Sequence, residues 1–146
     1  MELESDRPGG AVFPDPIRQH CASGEMEPGD WSRQPGLQCY SGGMWYRKRI
    51  RLEDGECTRA VAIDLGRVVS TAELFVNTSA GVRMAPPWRF DVSGLLHSGE
   101  NRLEIRIYNT AAPHCVSIPT LYRGETTSGL LEEPVLLLRP QPFGSR

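Results

Sequence analysis

From Met44 onward, apolar and polar residues alternate over short runs that turn residues separate. The clearest run is NRLEIRIYNT at 101–110, in which Leu103, Ile105 and Ile107 alternate with charged residues. Because successive side chains of a β-strand point to opposite faces, this run predicts a strand with one buried and one solvent-facing side.

Other runs follow the same pattern. They are MWYRKRIRL at 44–52, TRAVAIDLG at 58–66, TAELFVN at 71–77, the shorter AGVRMA at 80–85 and WRFDVS at 88–93, and VLLL at 135–138. We find no capped helical period longer than about ten residues. Seven or eight short strands, with turns at about ten-residue spacing, predict an all-β fold: an antiparallel β-sandwich of Greek-key or jelly-roll topology.

The chain divides into three predicted parts. Residues 1–36 are rich in proline, glycine and charge, which predicts an irregular lead-in with one short strand near Ile17. Residues 37–140 hold the strand patterns and form the predicted β-sandwich module, and 141–146 form a tail. A length of 146 residues suits one domain with a core of its own.

Charge, hydropathy and cysteine spacing limit the classes of partner and the location that we expect for this chain. The 16 basic and 18 acidic residues are well mixed and give a net charge of −2, so no basic footprint for nucleic acid is present. No apolar stretch reaches the roughly 18 residues of a membrane span. The start lacks a signal peptide, which predicts a cytoplasmic location if Met1 is the true start. Cys21, Cys39, Cys57 and Cys115 form no CxxC pair, so we expect free thiols and no zinc site.

Four blocks, in order, resemble a known module: YSGGMWYRKRIRL at 40–52, AIDLGRVVSTAELFVN at 62–77, the segment 81–110 and TTSGLLEEPVLL at 126–137. They are similar to the galactose-binding-like jelly-roll of glycoside hydrolases, especially the sugar-binding domain of family 2 and the C-terminal module of family 106 rhamnosidases. In those families a separate domain carries catalysis, so the resemblance implies an accessory role. Val69 stands where family 2 β-galactosidases place a sugar-contacting asparagine.

Sugar binding needs an aromatic ring beside planar polar groups. The candidate carbohydrate-binding residues are Trp88, Arg89, Asn109, His114, Tyr122, Arg123 and Glu125, five of which lie in the long loop from 109 to 127. Trp31 and Trp45 are further aromatics outside clear core positions. Trp88 has an alternative role as a core plug, and Arg123 and Glu125 could pair with each other or with a partner domain. No cofactor is predicted; related modules often hold structural calcium, but no carboxylate cluster here demands it.

The acidic residues do not suggest a catalytic centre. A glycosidase needs two carboxylates about 5–10 Å apart, whereas most acidic residues here lie at turns or on solvent-facing strand positions. We therefore expect no catalytic residues and a non-catalytic carbohydrate-binding or structural module of a glycoside hydrolase, whose partner is carbohydrate or a catalytic domain. The alternatives are a protein-interaction β-sandwich without a sugar site and, third, a small independent hydrolase.

Overall fold

Two antiparallel sheets account for nearly all regular structure in the computed structural model, which describes residues 2–5, 27–83, 85–116, 121 and 124–140. The strands are β1 (Glu2–Ser5), β2 (Gly43–Leu52), β3 (Ala60–Asp64), β4 (Thr71–Val76), β5 (Ser79–Arg83), β6 (Arg89–Asp91), β7 (Gly99–Tyr108) and β8 (Val135–Leu138). Three short helical segments accompany them: a 3₁₀ helix at Trp31–Arg33, α1 (Asp54–Cys57) and α2 (Ala112–Val116).

The larger sheet has the strand order β1-β2-β7-β4-β5. Its centre is the long pair of β2 and β7, which runs in register from Gly43 opposite Tyr108 to Leu52 opposite Gly99. The predicted alternation is confirmed in β7, where Ile105 and Ile107 are buried in the core and the intervening charged residues face outward. One face of this sheet is therefore apolar, and it must be covered.

The smaller sheet, of order β6-β3-β8, supplies that cover. Ile63 of β3 and Phe90 of β6 join Tyr46, Leu74 and Ile105 of the larger sheet in one buried cluster. Burial of apolar surface between two sheets is what holds a sandwich together. The predicted all-β antiparallel sandwich is confirmed.

Two segments that precede residue 37, where the predicted sandwich module begins, contact the sandwich. β1 pairs with β2 at the edge of the larger sheet, and Trp31 is 2% exposed and packs in the core. The backbone N–H of Trp31 also donates to the Ser128 carbonyl at 3.0 Å. Trp31 is buried from a short 3₁₀ helix rather than from a strand, so no alternation along the sequence indicates its burial. The strand predicted near Ile17 and the tail lie outside the described residues.

Two asparagines fix the turns at one end of the sandwich. Asn77 has φ of +53° in the two-residue link between β4 and β5, and its side-chain oxygen accepts the N–H of Arg102 at 3.0 Å. Asn101 is fully buried and donates to the His97 carbonyl at 2.7 Å. Nδ2 of Asn77 also donates a hydrogen bond to Oδ1 of Asn101 at 3.1 Å. Their side chains replace the backbone partners that tight turns lack.

Candidate functional site

Asn109, a predicted sugar contact, joins three segments of the chain. Its Nδ2 donates to the carbonyl of Tyr40 at 2.8 Å and to Oγ of Ser128 at 2.9 Å. Its Oδ1 accepts the backbone N–H of Gly42 at 2.8 Å. An amide has two donor hydrogens and an acceptor oxygen, and both donors are engaged here, so Asn109 holds loops together.

His114 and Glu125 lie near the same loops. The backbone N–H of His114 donates to Oγ of Ser41 at 3.1 Å, next to the residues that Asn109 binds. The Glu125 carboxylate is exposed and accepts hydrogen bonds from the backbone and hydroxyl of Thr127. Those Thr127 hydrogen bonds hold the pKa of Glu125 below its ordinary value. The structure thus gathers three of the predicted residues at one end of the sandwich, mostly in loop-fixing contacts.

Arg89 lies on the smaller sheet and is bound to a carboxylate. Its Nη2 and Nε lie 2.7 and 3.0 Å from Oδ2 of Asp64, its cross-strand partner. The hydrogen bond from Arg89 lowers the pKa of Asp64. A ligand at this position would have to compete with that ion pair.

Of the two aromatic residues in the predicted carbohydrate site, the structure describes Trp88. Trp88 is 8% exposed and belongs to the core cluster, so its ring offers no open face for a pyranose. Tyr122 and Arg123 lie outside the described residues. Trp31 is buried against Tyr40 and Tyr46. This leaves Trp45 as the tryptophan that faces away from the core.

The ring of Trp45 stands on the outer face of the larger sheet, within a set of aromatic and charged side chains. It lies 5.3 Å from the ring of Phe75 and 4.8 Å from the guanidinium carbon of Arg106. Arg106 also lies 5.0 Å from the ring of Tyr108 and binds the carboxylate of Glu73 at 2.5 Å. We call these five residues the Trp45 cluster. Its contacts prearrange rings and charges on a solvent-facing surface.

A row of ion pairs continues from the Trp45 cluster along β2 and β7. The Glu104 carboxylate accepts from Arg47 at 2.9 Å and from Arg102 at 2.7 Å. Partial burial raises the pKa of Glu104, but the two arginines outweigh it and the net pKa is lowered. Further along, Arg49 lies 3.5 Å from Glu100 on the exposed surface.

A groove of about 600 Å³ opens between the two sheets. Its walls include Ile50, Ile63, Leu103 and Leu136, and Glu27 and Glu133 are the carboxylates among its described lining residues. Lys48 lines it too and lies 3.6 Å from Glu133. Lys48 interrupts an otherwise apolar inward face of β2, and this break in the pattern is the feature of the sequence that could have indicated the opening. A volume of this size falls in the range of ligand pockets.

The described carboxyls with a displaced pKa lack the signature of a glycosidase acid. Such an acid has a pKa raised toward neutrality, whereas the described carboxyls whose pKa is displaced, Asp30, Asp64, Asp91, Glu104 and Glu125, are all displaced downward. Among the described residues, no group of three histidine, cysteine or carboxylate side chains could hold a metal ion. In the same part of the chain, no helix has the length and hydropathy to cross a bilayer.

Comparison with solved structures finds glycoside hydrolases. The chain is similar to part of a rhamnosidase from Novosphingobium sp. PP1Y, with 27% identity and a TM-score of 0.67 over 92% of this chain and 14% of that one. It also matches β-glucuronidases from an uncultured Clostridium sp. (18% identity, TM-score 0.56, 74% of this chain and 20% of that one) and from Ruminococcus gnavus (17%, 0.51, 60% and 16%). The two glucuronidases show the fold alone.

Neither a protein-family model nor a curated protein matches the sequence. The chain spans about one seventh to one fifth of the hydrolases that it resembles. Its structural neighbours are therefore glycoside hydrolases, and its sandwich has the fold of a glycosidase-associated domain.

Proposed function

We propose that this chain is a non-catalytic accessory domain of a glycoside hydrolase and that it contributes by holding carbohydrate. The observation that carries the proposal is the match of 92% of the chain to only 14% of a rhamnosidase. A sandwich that accounts for so small a part of an enzyme leaves most of that enzyme for other tasks, including the reaction. The identity of 27% extends the likeness beyond fold.

The carboxylates support a role without catalysis. Arg89, Arg47 and Arg102 bind the carboxylates of Asp64 and Glu104 and favour their charged forms. A general acid must instead hold a proton near neutral pH. The two groove carboxylates, Glu27 and Glu133, are the pair to test, since they line the described opening large enough for a sugar.

A second contribution, bracing a catalytic domain, rests on the same size relation. A region joined to a much longer chain meets its neighbours through its surface, and the loops gathered by Asn109 give this sandwich a fixed end for such a contact. This role requires a protein partner and no sugar.

Turnover by the pure chain tests the proposal directly. We expect no hydrolysis of aryl rhamnosides or aryl glucuronides above the buffer blank. Turnover that Glu133→Gln or Glu27→Gln abolishes, and that the exposed control Glu53→Gln leaves intact, would overturn the proposal. An array of neutral and acidic glycans then separates the two contributions. Specific binding of a glycan supports the carbohydrate role. A folded protein that binds no glycan on the array contradicts that role and favours the bracing of a catalytic domain.

A further inference from the structure

Three arginines at the solvent-exposed end of the β2–β7 pair carry incompletely neutralised charge. Arg49 and Arg102 are direct register partners, and their side chains are 75% and 61% exposed. Arg51 is exposed and lies two residues along β2, on the same face as Arg49. We call these residues the arginine cluster. Like charges directly opposite each other on a sheet are destabilising, so this arrangement costs the isolated fold some stability.

The carboxylates nearby offset this charge only in part. Glu100 lies 3.5 Å from Arg49 and is itself 65% exposed, and Arg102 shares Glu104 with Arg47. On the outward positions of β2, β4 and β7, five arginines stand with three glutamates. Two further glutamates, Glu2 and Glu4 of β1, lie opposite Arg47 and Trp45 in register, so the unbalanced positive charge is confined to the arginine cluster, beyond the part of β2 that β1 pairs.

The chemistry of the face fits a hydrated polyanion better than another protein. The large hydrophobic side chains that the described residues expose are Val116, Leu121 and Val135, and none belongs to β2, β4 or β7. The centre of a protein interface is apolar and depleted of charge. Guanidinium groups instead bind carboxylates through paired N–H donors, and an extended acidic chain can follow a row of them.

The Trp45 cluster lies along the same strand pair and adds a contact for the sugar itself. Arg47 separates Trp45 from Arg49 at alternate positions of β2, which places a ring and the arginine cluster on one face. Strand geometry sets these side chains about 7 Å apart from one to the next. A pyranose ring has apolar C–H groups that an indole edge or face can contact, while its carboxylate is within reach of an arginine.

We propose that the outer face of β2 and β7 binds an acidic carbohydrate chain, with uronate carboxylates at Arg49, Arg51 and Arg102 and a sugar ring beside Trp45. The inference rests on the proposed accessory function and specifies its ligand class. It assigns the binding to the outside of the larger sheet, away from the loops that Asn109 fixes, and Arg49 also lines the edge of the inter-sheet groove.

The test uses polygalacturonate and the same polymer after methyl esterification, which keeps the sugar backbone and removes its charge. Calorimetric titration of the full chain should detect binding to the acid form that weakens with added salt, and no binding to the ester. The Arg49→Gln/Arg102→Gln double variant should bind about tenfold more weakly. The matched double variant Arg33→Gln/Arg67→Gln makes the same charge change at exposed positions outside the face and should differ less than about twofold from the parent chain.

Several outcomes would overturn the inference. These are absence of binding at low salt, equal binding of the ester, an equal loss in both double variants, and tighter binding of duplex DNA than of polygalacturonate. The result is distinct from the test of the proposed function. A chain without turnover that binds neutral glycans but not polygalacturonate keeps the accessory function and contradicts only the ligand class and its location.

Discussion

Two aromatic clusters lie back to back across strand β2, and they differ in what surrounds their rings. The inner cluster stacks Trp31 on Tyr46 at 6.4 Å and sets it edge-on to Tyr40 at 6.3 Å, all three rings being buried. The outer cluster is the Trp45 cluster, in which the ring of Trp45 lies beside arginine guanidinium groups on the solvent side of the sheet. Trp45 and Tyr46 are neighbours in sequence. Strand alternation, rather than ring type, decides which ring builds the core and which is available for contact.

The inner cluster depends on hydrogen bonds as well as on packing. The Tyr46 hydroxyl accepts the N–H of Leu130 at 3.2 Å, and the Tyr40 hydroxyl donates to the Gly43 carbonyl at 2.7 Å. Burial raises the pKa of Tyr46 above its ordinary value, so this hydroxyl stays protonated. The outer cluster relies on charge, and its contacts should respond to salt and pH.

Replacing the two tryptophans should give the largest contrast. Trp31→Ala leaves a cavity in the core and should lower the free energy of unfolding by about 3–5 kcal/mol. Trp45→Ala loses a half-buried ring and its guanidinium contacts, at about 1–2 kcal/mol. Urea unfolding of both variants and the parent chain measures the difference. Equal losses would contradict the division into a core cluster and a surface cluster.

Gly129→Ala should disturb the packing of the inner cluster, because Gly129 lies against the side chains of Trp31 and Tyr46. A Cβ there would lie 2.8 Å from Cε3 of Trp31 and 2.9 Å from Oη of Tyr46, and φ is +109°. Such crowding costs about 1–3 kcal/mol. Gly94→Ala is the control, since φ is +74° but no atom lies within 4 Å of its Cβ position. Equal losses of unfolding free energy in thermal or urea denaturation would assign the whole effect to backbone strain.

Tyr46→Phe isolates one hydrogen bond within the inner cluster. It keeps the ring but leaves the Leu130 N–H without its acceptor, which should cost about 1–3 kcal/mol of unfolding free energy. Hydrogen exchange of the Leu130 amide should become faster while the amides of β7 keep their relative protection. An unchanged exchange rate at Leu130 would show that the hydroxyl does not hold this connection.

The smallest effect concerns the outer face and pH. The pKa of Glu104 is lower in the folded chain than its ordinary value of 4.5, so its ion pairs stabilise the fold above that value and are lost as pH falls through the lowered pKa. The contribution should stay below about 1 kcal/mol because the pairs are partly solvated. The difference in the free energy of unfolding between the parent chain and Glu104→Gln should therefore shrink as the pH is lowered from 7 to 3. A difference that stays constant with pH would show that the arginines do not perturb the pKa of this carboxyl.

More of the fold than of the candidate site could be predicted from the sequence. Alternation in 101–110 was enough to predict the central strand, because a strand with one buried face has a period of two whatever its partners are. Trp31 had no such signal. Its burial depends on Ser128 and Gly129, which lie nearly a hundred residues away, and nothing near it in the sequence indicates that contact.

The candidate site was harder because residue type does not specify partners. Asn109 was predicted as a sugar contact from its polar side chain and its long loop, but its amide is engaged by Tyr40, Gly42 and Ser128. Trp45 was named as a candidate aromatic, whereas its connection to Arg106 requires the pairing of β2 with β7. Sugar binding by the predicted residues stays a prediction.

The order of the strands has a consequence for how the chain acquires its structure. The central strand β7 lies between β2 and β4, so Gly43 finds its partner only at Tyr108. During synthesis, more than fifty residues must follow β2 out of the ribosome before β7 is complete and can pair with it. Such distant pairing makes folding slow relative to helical proteins of similar size. The apolar strand β8, which completes the smaller sheet, comes later still, so the nascent sandwich exposes its core until Leu138 has emerged.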